Sequence, residues 1–258
     1  MSCVIQNILQ NWFVLWELTK RELERKYARS YLGIIWSIVY PLLRMALVVF
    51  LFSYVFNKGI DKYPAYYFSA YLIFEFFNAA TQTSLTTLKD NRNLLIKSKL
   101  NRELFVLSRV LTAFVNFLLG CIPYTVVLLI YRVVPTRKLL IVPLDIFLLL
   151  LFSTGVSYLL SIWFVFLKDS RNIYANLIFV LRFFTPMFFS IEWVSKPIQK
   201  VIMWNPMYSF VEVARECIVY DRMPGVTFFI RIFVYGIGAY VTGKMVFSAY
   251  ENRVVEKV

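Results

Sequence analysis

Apolar runs of bilayer-crossing length recur along the chain at 33–56, 64–88, 105–131, 141–167, 172–190 and 224–247. A helix needs about 20 apolar residues to cross the hydrocarbon core, so the pattern predicts an all-α polytopic membrane protein with six transmembrane helices. Ahead of the first run, Ile5, Ile8, Leu9, Trp12, Phe13 and Trp16 repeat at three-and-four spacing, with Gln6, Asn7, Gln10 and Asn11 opposite. That face predicts an N-terminal amphipathic interface helix within 1–30, lying on the membrane surface. Its continuation through Lys20, Arg21, Arg25, Lys26 and Arg29 suits the head groups of the cytoplasmic leaflet.

Between the fifth and sixth runs the pattern breaks. Pro197 and the pair Asn205-Pro206 divide 191–223 into one piece from Pro197 to Trp204 and another from Met207 to Tyr220. At ~1.5 Å per residue these reach only ~12 and ~21 Å against a core of ~30 Å. The segment reads as a re-entrant external helix pair between spans 5 and 6, with Ser195 capping the first helix and the Asn-Pro step forcing the turn into the second. Without a repeat or low-complexity tract, the chain reads as a single transmembrane domain over 1–258. Its parts are the interface helix in 1–30, spans 1–5 in 33–190, the external helices in 191–223, and span 6 with its tail in 224–258.

Composition sharpens this picture. A hydrophobic share of 60% and a mean hydropathy of +0.65 over 258 residues exceed what one water-soluble core hides, so the excess faces lipid. The balance of 28 Lys and Arg against 15 Asp and Glu, formally +13, would indicate nucleic acid in a soluble protein. In a membrane protein it reads as topology signal and lipid contact, and no nucleic acid is expected. With Lys244, at the end of the last span, counted with the tail, 15 of the cations fall on the side of the termini and 9 on the other, which predicts both termini in the cytoplasm.

Several chemistries lack their residues. Cys3, Cys121 and Cys217 are far apart and have no metal-ligand spacing, histidine is absent, and no Asp-x-Asp pair occurs. A metal site is therefore not expected, and a membrane enzyme such as a lipid-linked sugar transferase is disfavoured. The start of the chain lacks the layout of a cleaved signal peptide. A near-match to a phosphate-binding loop runs from Gly238 to Met245, but Met245 stands where a magnesium-binding Ser or Thr belongs and the stretch lies inside an apolar run. Gly236, Ala239 and Gly243 instead form a stripe of small residues that admits a neighbouring helix. Only Glu75 lies deep in a span, with Asp145 near an end, too few carboxylates for a proton relay, so the energy for transport is expected from a separate motor. Arg44 and Glu75 fall at matching depths on consecutive antiparallel spans, which predicts a mid-membrane ion pair or a polar channel wall. The many aromatics of the second span, Tyr67, Tyr71 and Phe74 among them, offer flat faces on which sugar rings pack.

The stretch Arg21-Glu-Leu-Glu-Arg-Lys-Tyr27-Ala-Arg-Ser-Tyr-Leu-Gly33-Ile-Ile-Trp36-Ser-Ile-Val-Tyr-Pro41 resembles the first membrane approach of type-2 ABC exporter permeases for O-antigen, capsule and teichoic acid. So do Asn91-Arg-Asn-Leu-Leu-Ile-Lys97 with Arg102-Glu103-Leu104, and Trp204-Asn-Pro206-Met-Tyr208-Ser-Phe-Val-Glu212-Val-Ala-Arg215. Asn101 stands where that family commonly has a proline. The resemblance implies a permease of the bacterial inner membrane that works as a homodimer on two ABC ATPase subunits and exports an undecaprenyl-diphosphate-linked glycan. ATP and Mg would be bound by the partner subunits, and the chain itself would hold no cofactor. On this reading Arg44, Tyr67, Tyr71, Phe74, Glu75 and Arg182 line the substrate pathway, with Arg44 or Arg182 on the carrier's diphosphate. Glu24, Arg25, Tyr27 and Asn91 meet the ATPase, with Leu94, Leu95 and Ile96 as an exposed apolar knob. Pro197, Trp204, Asn205, Pro206, Tyr208 and Glu212 form an external gate. The alternatives are a type-2 ABC permease for a drug, lipid or other small substrate, and a gradient-driven carrier.

Overall fold

The computed structural model describes residues 2–28, 33–51, 60, 62–97, 100–134 and 136–257, without the side chains of 2–8, 252 and 255–257. The face read at Ile5 and Ile8, the cation Arg29 and the end of the first apolar run, 52–56, lie outside the described residues. The described residues form helices and connecting turns, with no strand among them. Helix α1 (Ser2–Tyr27) precedes α2 (Trp36–Phe50) and α3 (Tyr63–Leu85), and two short helices, α4 (Thr87–Asp90) and α5 (Arg92–Lys97), lead to α6 (Glu103–Ile130). Then come α7 (Val142–Phe166), α8 (Ser170–Phe183), the short pair α9 (Lys196–Met203) and α10 (Pro206–Ile218), and the long α11 (Val226–Lys257).

Four helical stretches are long and apolar enough to cross a membrane: Gly33–Phe50, Glu103–Ile130, Arg137–Phe166 and Val226–Glu251. Helix α3 has the length but not the hydropathy, because tyrosine, serine and threonine interrupt its apolar residues. It is nevertheless the hub, packed by α2, α6, α7, α8 and α10. Its polar groups turn inward. Tyr174 donates to the Thr81 hydroxyl at 2.6 Å, and Thr81 donates to the Phe77 carbonyl at 2.7 Å.

Helices α7 and α11 form the closest pair, and small residues are the reason. A Cβ on Gly155 would fall on the Ala239 backbone, and one on Gly243 would fall on the Gly155 backbone. The predicted stripe of Gly236, Ala239 and Gly243 thus meets a glycine on the facing helix, and backbone-to-backbone packing replaces side-chain interdigitation. Beside this seam the core divides in two. One apolar cluster surrounds α3. A second joins Leu15 and Leu18 of α1 to Leu88, Leu95, Phe105, Tyr158 and Phe247, and so binds the amphipathic helix to the bundle end that carries α4 and α5. On α1, Leu9, Trp12, Phe13 and Trp16 stay exposed as the predicted membrane-facing stripe, while the Leu15 and Leu18 face is buried.

Candidate functional site

Three charges from three helices converge within the bundle. The Arg182 guanidinium at the last turn of α8 donates to Glu75 Oε2 at 3.3 Å, and Arg44 Nη1 of α2 lies 4.0 Å from the same oxygen. Glu75 Oε1 accepts from Asn78 at 3.4 Å. Arg44 donates to the Tyr40 hydroxyl and sits over its ring at 4.5 Å, and Arg182 sits 5.2 Å above Phe74. The pair expected between Arg44 and Glu75 is therefore part of a triad, with Arg182 as the nearer partner. One carboxylate between two guanidinium groups leaves a formal excess of one positive charge, and each side chain keeps about a third of its surface exposed, at 37, 35 and 29% for Arg44, Glu75 and Arg182. In surroundings of low dielectric constant such an excess attracts an anion. The aromatics read as pathway residues divide. Phe74, Tyr67 and Tyr71 are all buried by packing, Tyr67 between Tyr71 and Phe188, and of the three Tyr71 borders a cavity of about 400 Å³ that also reaches Glu75.

At one end of the bundle the helix α8 stops early. The apolar run 172–190 predicts a continuous span, but the helix ends at Phe183, because Pro186 lacks an N–H and disfavours helical backbone before it. The freed carbonyls find partners elsewhere. Tyr63 donates to Phe188 O at 3.1 Å, Tyr66 to Phe189 O at 2.7 Å, and Asn205 Nδ2 to Phe184 O at 3.0 Å. Arg215 Nη2 donates to Met187 O at 3.4 Å. Non-helical backbone at membrane depth requires this kind of satisfaction.

The α9–α10 pair follows the predicted lengths. Asn205 caps α10, accepting from the Met207 N–H at 2.9 Å while its Nδ2 also reaches the Thr185 hydroxyl at 2.9 Å. Ser195 occupies the N-cap position of α9, but its hydroxyl makes no capping hydrogen bond, and Pro197 instead sets the first turn. Trp204 at the turn is 76% exposed, while Tyr208 is buried. Arg215 holds this end together. It is 1% exposed, its guanidinium lies 3.6 Å from the Tyr66 ring centroid, its Nε donates to Tyr66 O at 3.3 Å, and it pairs with Glu212 at 3.9 Å.

At the other end, Glu22 of α1 is buried and binds Arg109 of α6 at 2.7 Å and Arg21 at 3.1 Å. Arg109 also reaches Asp90 of α4 at 3.2 Å, and Arg21 donates to Asn91 Oδ1 at 2.6 Å. Tyr27 bonds Ser37 and Asn116. Of the residues read as ATPase contacts, Asn91 and Arg25 thus belong to one network, Tyr27 forms a separate cluster with Ser37 and Asn116, and Glu24 stays exposed outside both. The knob also divides. Leu94 and Ile96 are exposed, but Leu95 is buried in the second core beside Leu15 and Leu18, since a one-turn helix on the bundle must turn one side inward.

Sequence reasoning named no partner for Glu22, Arg109 or Arg215. The signal was present, because Glu22 continues the Leu15–Leu18 face of α1 and Arg215 follows Val211 by one helical turn on the buried side of α10. Charges on an apolar face mark a specific partner.

In sequence, the chain is similar to known transport proteins of membranes. The family model described as ABC-2 type transporter matches residues 14–219. The O-antigen export system permease protein RfbA of Myxococcus xanthus is 27% identical over 227 residues, covering 87% of this chain and 87% of that protein. RfbA of Klebsiella pneumoniae is 23% identical over 240 residues, covering 93% and 92%. The polysialic acid transport protein KpsM of Escherichia coli is 20% identical over 219 residues, covering 80% and 79%.

Proposed function

The chain belongs to the ABC-2 type transporter membrane family, and from that premise we propose that it is the membrane-spanning subunit of an exporter of undecaprenyl-diphosphate-linked polysaccharide, such as O-antigen, across the bacterial inner membrane. The relatives' names support the polysaccharide class. The observation that carries the reading is the triad of Arg44, Glu75 and Arg182. Guanidinium groups match phosphate oxygens in a bidentate fork, and two of them within reach of each other suit a diphosphate. Glu75 competes for the same guanidinium groups, so the anion is received without being trapped.

Energy comes from two ABC ATPase subunits that bind ATP and Mg. The stretch from Gly238 to Met245 lies within α11, where backbone amides are engaged in the helix and cannot cradle phosphate. Leu94 and Ile96, with Asn91 and the exposed Glu24, form the contact that receives the stroke. Six crossings are made by α2, α3, α6, α7, α8 with the satisfied segment behind it, and α11, which leaves both termini in the cytoplasm. Two copies enclose the pathway, and α9–α10 close its outer end as a gate through Pro197, Trp204, Asn205, Pro206, Tyr208 and Glu212.

The test is export in a strain from which the gene for this chain is removed and then restored as wild type or as Arg44→Gln/Arg182→Gln. Glycan is expected to accumulate inside the cell without the chain, and again with the double variant at normal protein level. Normal surface glycan in the deletion strain would favour a small-substrate permease and end the proposal.

A further inference from the structure

Two cavities open on one flank of the bundle, between the end of α1, the first half of α2 and the facing sides of α3 and α6. One, of about 400 Å³, reaches from Lys26 to Tyr71 and Gly120, and the other, of about 360 Å³, lies beside Glu22, Arg25, Thr83 and Arg109. Lys26, Ala79, Ala113 and Asn116 line both, so the two form one slot. Along α3 it extends from Thr83 to Tyr71, ~18 Å at ~1.5 Å per residue, or about one leaflet of a ~30 Å core.

The chemistry of the slot changes in order with depth. Arg25 and Lys26 stand exposed at the mouth. The carboxylate there, Glu22, is engaged by Arg109 at 2.7 Å and Arg21 at 3.1 Å, which leaves Arg25 a 3.7 Å contact and Lys26 no ion pair among the described residues. Next come the hydroxyls of Tyr27 and Ser37 with the Asn116 amide. Beyond them the walls are Trp36, Phe76 and Phe117. Alanine at 79 and 113 keeps these walls low, and at Gly120, where a Cβ would come within 2.7 Å of Leu72, α6 packs closely on α3 and closes the deep end. Exposed cations, then polar hydroxyls, then an apolar channel one leaflet long is the profile of a glycerophospholipid from phosphate to acyl chain.

We infer that this slot binds one anionic phospholipid from the leaflet facing α1, with its phosphate at Arg25 and Lys26, its ester region at Tyr27 and Asn116, and one acyl chain against Phe76 and Phe117. An undecaprenyl chain is far longer than the slot. The site does not depend on the transport reading beyond the membrane placement of the helices. Glu75 forms part of the deep end, so the bound chain and the arginine triad share a wall.

To test this, the full-length chain is placed in nanodiscs of phosphatidylcholine containing a minor share of phosphatidylglycerol, and lipids kept on gentle re-extraction are identified by native mass spectrometry. One phosphatidylglycerol per chain is expected to be kept in preference to phosphatidylcholine. Lys26→Gln weakens this roughly fivefold, and adding Arg25→Gln weakens it roughly fivefold again, the usual effect of one cation at a charged membrane surface. Ala79→Leu, which fills the slot without changing its charge, abolishes retention of either lipid. Equal retention of the two lipids by wild type and Lys26→Gln overturns the inference, as does undiminished retention by a folded Ala79→Leu chain. Should Ala79→Leu fail to fold, the charge variants decide alone, since both side chains are exposed. Recovery of a polyprenyl phosphate, rather than phospholipid, from chain purified out of its own membrane also overturns it.

Discussion

Helices α2 and α3 are neighbours of similar origin in the sequence pattern, yet they face opposite surroundings. The stretch Gly33–Phe50 has a mean hydropathy of 1.9 and none of its residues is fully buried, although Leu42, Met45, Val48 and Val49 pack partly against the core. Helix α3 is buried along nearly its whole length and is too polar to register as a span. Hydropathy by itself therefore does not say which helix sits at the centre of this bundle: the most buried helix is among the more polar. Where a helix stays exposed in a bilayer, apolar side chains predominate, and the one charge on α2, Arg44, turns to Tyr40 and Glu75. Where protein surrounds a helix, hydroxyls and amides find partners, and α3 uses them to hold its neighbours.

The strongest way to break this comparison is to remove a polar anchor of the buried side. Arg215→Met leaves Glu212 and the carbonyls of Tyr66 and Met187 unanswered, and a loss of about 3–5 kcal/mol is expected, read from unfolding in detergent. Arg215→Lys keeps the charge but not the fork, and should recover only part of it.

Apolar truncations compare the two helices directly. Phe74 is fully buried and Leu47 is 61% exposed. Phe74→Ala should cost about 3 kcal/mol, the low end of soluble-core values because lipid and not water is the alternative surrounding, while Leu47→Ala should stay within about 0.5 kcal/mol. Equal losses would mean that α2 is covered as α3 is.

Glycines repeat the contrast on α7 and α11. Gly155→Ala drives a methyl group into the Ala239 backbone and should destabilise by about 1–3 kcal/mol, whereas Gly238, whose Cβ would meet nothing within 4 Å, should accept alanine at no cost or with a gain of up to about 1 kcal/mol. A smaller difference is expected within the triad. In double-mutant cycles, Glu75 should couple to Arg182 more strongly than to Arg44, by about 1 kcal/mol, since these side chains are partly exposed.

The smallest effect lies outside the membrane. Asp221 accepts from the Thr136 hydroxyl at 2.7 Å and pairs with Lys138 at 3.0 Å, and these partners hold its carboxyl below the usual range. A depressed carboxylate contributes stability above its unfolded pKa and loses it as pH falls through the folded one. Limited proteolysis at 219–225 should therefore be unchanged above about pH 5 and faster only below about pH 4. Onset near neutral pH would refute the tether.

How much was legible depended on whether a residue's partner was its sequence neighbour or a distant helix. The amphipathic face of α1, the two short helices around Asn205 and the small-residue stripe of α11 all follow from local period, length and proline chemistry. Leu95 did not, because whether a one-turn helix hides its second leucine is decided by what lies beneath it. The early end of α8 was half legible, since Pro186 was in view, but only the tyrosines of α3 show how its open backbone is satisfied.

By itself, the chain's pattern of apolar runs, breaks and charges determined that this is a helical membrane protein and roughly where its helices begin and end, because those depend on local backbone preference and on transfer to lipid. Tertiary structure alone decided that Glu75 serves two arginines, that Glu22 belongs with Arg109, and that Arg215 joins three segments. The reason is physical: an unpaired charge inside a membrane is costly wherever it sits in the sequence, but which partner relieves it depends on distances that only the packed helices set.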